Sequence, residues 1–143
     1  TGGQAGPFVQ RRNSDGLIVG CTRYLSALWP LGRAEPDEVE IGGTWLTSDA
    51  QRSAINTEAK LLLLTHAFEE WNVQRVAICT DARNERSRQA IDRIGATFEG
   101  VMRRHRRSHR SVDGDRLRDT ATYAVTVDDW PAIEQLLRHR LSG

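Results

Sequence analysis

The chain has no apolar run long enough to cross a bilayer. About 20 residues are needed for that, and the longest stretch here, Leu61 to Leu64, sits inside a polar-flanked helical pattern. No charged start followed by an apolar core and a small-residue cleavage site is present, so the sequence predicts no secretion and a cytoplasmic location. Cysteine is scarce: Cys21 and Cys79 lie too far apart to form a metal-type pair and read as reduced, buried thiols. Net charge is also small, at +1, which argues against a molecule that binds polyanions over its whole surface. Lysine is nearly missing. Lys60 is the only one, and every other basic residue is arginine, a bias that fits codon usage in the source genome.

What is present is one domain's worth of chain, 143 residues, without repeats or low-complexity tracts. Residues 1–6 are small, polar and glycine-rich, and are expected to be a flexible lead-in. Strands are predicted at Pro7 to Arg11, Leu17 to Tyr24 and Glu38 to Leu46, with a turn at Asn13 to Gly16 joining the first two. Helical spacing follows over Ser53 to Trp71, with Ala59, Leu62, Leu63, Ala67 and Trp71 on one stripe. Val73 to Thr80 reads as a strand, and Asn84 to Ile94 as a helix stopped by Gly95. Thr97 to Arg104 and Leu117 to Val127 read as a strand pair. A last helix is capped by Asp128 or Asp129 and turns Trp130, Ile133, Leu136, Leu137 and Leu141 inward. The order β-β-β-α-β-α-β-β-α predicts an α+β fold with a mixed sheet, not a doubly wound parallel one.

Three places could carry chemistry. The first is Gln51 to Thr57, a strand-to-helix junction where unpaired N–H groups and the helix dipole attract anions. Ser53 and Ala54 are small enough for close approach, and Arg52 can add a charged contact. Taken locally, a plain helix start with a serine cap is the favoured reading. The second is Glu40, which strand alternation places beside Gly42, Thr44 and Leu46. The two small residues leave room for a cleft in which a carboxylate could take a proton from an amine. A solvated strand carboxylate fits equally well. The third is Asp81 to Ser87, where Asn84 caps a helix and Ser87 lies one turn on.

Joined, the blocks EIGGTWL (Glu40 to Leu46), QRSAINTEAKLLLLTHAFE, RVAICTDARNERSRQAIDRIGATFEGVMR, RDTATYAV and DDW resemble the GNAT superfamily of N-acetyltransferases. Within it they are similar to the ribosomal-protein N-terminal acetyltransferase (RimJ/RimL-type) branch. The resemblance covers roughly Phe8 to Leu141, with Asn84, Ser87, Ala90, Ile91, Gly95, Glu99, Gly100 and Arg103 at family spacing.

It implies a twisted, mostly antiparallel mixed sheet with a central V-shaped splay, flanked by helices. Acetyl-CoA is implied as cosubstrate, its pantetheine arm beside Trp45, Leu46 and Thr47, and its pyrophosphate on Arg52, Ser53, Ala54, Ile55, Asn56 and Thr57. Asn84 and Arg86 are implied on the same cofactor, Ser87 beside the thioester sulfur, Glu40 as base and Arg103 toward the substrate. The implied reaction is direct attack by a primary amine in a ternary complex. No metal and no membrane are implied, and a homodimer is compatible.

Two departures stand out. Ala54 and Asn56 occupy positions where the family's phosphate loop usually has glycine. The first strand and helices usual in the family before Phe8 are also absent, so the domain is expected to be N-terminally incomplete, with an open edge at the first strand. Both leave a rival reading, a non-catalytic CoA-binding or protein-interaction module. The Arg103 to Arg110 cluster lacks interleaved aromatics, which disfavours nucleic acid as a partner.

Overall fold

A computed structural model describes residues 7–51, 54–108 and 110–143, except for the side chains of 7 and 43–46. Six strands form one sheet in the order β1-β2-β3-β4-β6-β5. They are β1 (Pro7–Arg11), β2 (Ile18–Leu28), β3 (Glu38–Leu46), β4 (Arg75–Asp81), β5 (Thr97–Arg107) and β6 (Leu117–Thr126). Every neighbouring pair is antiparallel except β3 and β4. The helices are α1 (Ala54–Thr65), α2 (Glu85–Ile94) and α3 (Trp130–Ser142). This is the α+β mixed sheet expected from the pattern. Among the described residues β1 stands at the sheet edge, with β2 as its partner.

The core lies on one face of the sheet. Tyr24, Val39, Ile41, Val76, Ile78, Ala121, Tyr123 and Val125 point from the strands into a cluster completed by α1, α2 and α3. The Tyr24 hydroxyl is buried there and donates to the Leu63 carbonyl at 2.6 Å, tying β2 to α1. Burial pushes that phenol's pKa well above its usual value.

The helical stripe of α1 differs from the one expected. Lys60, Leu61, Leu63 and Leu64 are buried, whereas Leu62 is 63% exposed. A π-helical turn over His66–Glu70 follows, and in it Ala67 and Phe68 continue the buried stripe of Lys60, Leu61 and Leu64. Phe68 then stacks on Trp130 of α3 at 5.3 Å.

The caps of α2 follow the sequence, and that of α3 does not; the serine expected to cap α1 lies outside the described residues. Gly95 adopts φ 96° after α2, where its N–H donates to Asp92. Asp129 occupies the cap position of α3, but its carboxylate turns back to accept from the Thr126 N–H and hydroxyl, both at 3.0 Å. Among the described residues no helix is long and apolar enough to cross a membrane.

Candidate active site

The parallel strands β3 and β4 pair only from Glu38–Arg75 to Ile41–Ile78, although β3 continues to Leu46 and β4 to Asp81. Past that point they share no ladder, and a cleft of about 1220 Å³ opens between them. Its walls come from both sides of the sheet. Ile41 and Ile78 belong to the core face, while Gly42 and Cys79, one residue on, belong to the opposite face. Asn56, Thr57 and Lys60 enter from α1, and Asn84, Arg86 and Ser87 from α2. The cleft therefore runs through the sheet rather than along its surface.

At the loop from β3 into α1, the carbonyl of Thr47 accepts from the N–H groups of Ala50 (3.0 Å) and Gln51 (3.1 Å). The Thr47 hydroxyl bonds Asp49 at 2.6 Å. Its own N–H donates to Val19 of β2, so that donor faces away from the opening. Trp45 and Leu46 are in β3 by backbone, and their side chains lie outside the described set. Arg52 and Ser53 fall outside the described residues altogether. Ala54 is exposed and Ile55 half-buried in the first turn of α1. The Asn56 side-chain oxygen is buried in the cleft wall and accepts no hydrogen bond. On the facing wall, Asn84 caps α2 by accepting from the Ser87 N–H at 3.1 Å, and Arg86 donates to Gln51 at 2.6 Å, joining the two helix starts.

Lys60 lies one turn beyond Asn56, and the absence of other lysines does not mark it as surface decoration. It is 4% exposed, and burial pushes its pKa down to about 8.

Glu40 sits on the face away from the helices and is 6% exposed. The space expected beside it at Gly42 is filled by the Leu25 side chain, which a Cβ there would strike. The sequence pattern also missed its partner. Arg106 of β5 donates through both terminal nitrogens to the two Glu40 oxygens, each at 2.7 Å. Hydrogen bonding to that carboxylate raises the arginine's pKa further above its usual value.

The irregular register of β5 explains the omission. Met102 faces Thr120 while Arg106 faces Arg118, so two extra residues bulge out between them. Arg104 takes φ 48° in that bulge, and Asp119 accepts from its N–H at 2.9 Å. Simple alternation therefore fails at this point. Arg103, expected toward the substrate, is instead exposed and lines a second cleft with Arg104, Arg116, Leu117 and Asp119. His105 has a buried, unpartnered Nδ1, and burial first, then Arg106, hold its pKa below the usual value. Among the described residues no cluster of three metal-ligating side chains occurs.

The parallel strands β3 and β4 thus part beside two helix starts that face the gap. Residues 3–97 match the acetyltransferase (GNAT) domain, and the chain belongs to the GNAT family. A Bacillus subtilis (strain 168) protein described as "Putative ribosomal N-acetyltransferase YdaF" is 43% identical over 61 residues, 43% of this chain and 33% of that protein. Mycobacterium smegmatis RimJ, solved in complex with CoA-disulfide, superposes with a TM-score of 0.75 and 26% identity over 96% of this chain and 61% of its own. A GCN5-related N-acetyltransferase from Brucella melitensis gives 0.80 and 26% over 95% and 57%. The chain thus spans a third of the curated relative's length and about three-fifths of these solved structures.

Proposed function

We propose that this chain forms a single acyltransferase domain that moves the acetyl group of acetyl-CoA to a primary amine by direct attack in a ternary complex. The observation that carries the reading is the gap after Ile41 and Ile78, a through-sheet cleft flanked by the starts of α1 and α2. The residues present suit such a donor. Asn56 offers an unpartnered acceptor in the wall, and Lys60, Arg86 and the first N–H groups of α1 supply positive potential for phosphates. When bound, acetyl-CoA supplies the activated acyl group as a thioester. The chain's own part is to align the amine and to move a proton.

Glu40 is the proposed proton acceptor. Arg106 occupies one lone pair on each of its oxygens, so the remaining lone pairs would act through a bridging water. Ser87, half-buried in the cleft, is the proposed partner for the departing sulfur. A second reading, CoA binding without transfer, is favoured by that same ion pair, because the carboxylate is already neutralised.

The test has two stages. Acetyl-CoA should raise the melting temperature, and a panel of amines should then release free thiol. Stabilisation with no thiol released from any amine selects the binding module, and no stabilisation rejects both readings. Glu40→Gln should lower the rate and flatten its pH profile; wild-type rates with an unchanged profile remove Glu40 from the role of base.

A further inference from the structure

Where the cleft opens on the face of the sheet away from the helices, its lining carries more arginine than carboxylate. Cross-strand partners in a sheet share a face. Arg23 pairs with Gly42, and Arg106 with Arg118, which places all three arginines on the side that holds Glu40. Arg118 confirms this by donating to Thr120 at 3.2 Å. All three line the cleft where it emerges beyond β3 and β4, as does Arg110.

The acidic groups near this mouth are already engaged. Glu40 is bound to Arg106 by two hydrogen bonds of 2.7 Å. Asp81 and Asp113 are bridged by Arg83, at 2.9 and 2.7 Å, and Arg110 adds its field to both. His105 is held toward its neutral form by burial. What remains is Arg110, beside the Arg83 bridge, and the pair Arg23 and Arg118. Among the described residues neither forms an ion pair, and Arg118 has only a hydroxyl as acceptor. They flank the gap from β2 on one side and β6 on the other. The cations that suit a phosphate-bearing donor, Lys60 and Arg86, belong to the helices on the opposite face, so this pair is not accounted for by the donor.

From this juxtaposition we infer that the acceptor is an amine carrying a carboxylate close to the reacting nitrogen, as in an amino acid or an acidic peptide N-terminus, and that Arg23 and Arg118 select it. Two arginines across an opening suit a carboxylate because each offers a planar fork of donors. The same field repels polycations, so polyamines and amino sugars are poor acceptors. This rests on the proposed acyltransferase reading and narrows its substrate.

The experiment uses conjugates that bind without turnover, in which CoA is joined through an acetyl spacer to the α-amine of glutamate, glutamine amide or lysine amide. Calorimetry on the intact chain should give at least about tenfold tighter binding for the glutamate conjugate than for the lysine amide conjugate. Arg23→Gln and Arg118→Gln should each remove most of that preference while leaving the affinity for CoA itself within about twofold. Equal binding of all three conjugates, tighter binding of the lysine amide, or a preference that survives both substitutions overturns the inference. If CoA binds but no conjugate binds more tightly, the acceptor proposal fails and the donor site stands. If CoA does not bind, both fail together.

Discussion

Replacing Arg106 by methionine should be the most damaging single change near the cleft. Two unit charges about 4 Å apart attract by roughly 4 kcal/mol at an effective dielectric of about 20. Burying the carboxylate of Glu40, whose side chain is 7% exposed, costs several kcal/mol in the other direction. The pair as a whole is thus near neutral against an apolar pair, but each partner depends on the other. Removing one side of a buried pair costs about 3–5 kcal/mol. Arg106 is 37% exposed, so water can reach part of the vacated space, and the lower end applies.

Arg106→Met should therefore lose about 3 kcal/mol, or ~9 °C in Tm for a chain of this size. Adding Glu40→Leu should recover stability to within about 1 kcal/mol of wild type, since the stranded charge is then gone. Urea unfolding followed by circular dichroism measures both. A single variant within about 0.5 kcal/mol of wild type, or a double variant no better than the single, refutes the ion-pair account.

Lys60 gives a pH-dependent prediction. Its folded pKa, about 8, is lower than the ordinary lysine value of 10.5, so folding opposes the charged form. The penalty is fully present below pH 8 and is relieved as pH rises toward 10.5, by about 3 kcal/mol in all. The stability difference between wild type and Lys60→Met should shift in favour of wild type across that window, and a flat difference would reject the buried-cation account. Gly95→Ala should cost about 1–2 kcal/mol, because φ 96° is unfavourable with a Cβ that would also lie 3.3 Å from Ile133; an unchanged urea midpoint would contradict this. Asn84→Ala should lose a cap worth about 1 kcal/mol, read by thermal melting, and should raise the KM for acetyl-CoA.

Element order was legible in the residues, because each segment's periodicity is a local property. The β1–β2 turn, the Gly95 stop, the Asn84 cap and the inward face of α3 all depend on neighbours within a few positions. α1 was legible as a helix but not in its phase: four leucines in a row, Leu61 to Leu64, leave the inward face open, and only packing against the sheet and α3 buries Leu61 and Leu64 and leaves Leu62 out.

The candidate site divides in the same way. By itself the sequence determined that Glu40 sits on a strand face opposite Val39 and Ile41, that Asn84 starts a helix, and which family the ordered blocks resemble. Tertiary structure alone decided that β3 and β4 part after Ile41 and Ile78, which makes those helix starts into the walls of one cleft. It also decided that Arg106, not Arg103, reaches inward, 66 positions from Glu40. Strand alternation cannot foresee that pairing, because a bulge resets the register and the partner is brought near by the sheet rather than by the chain.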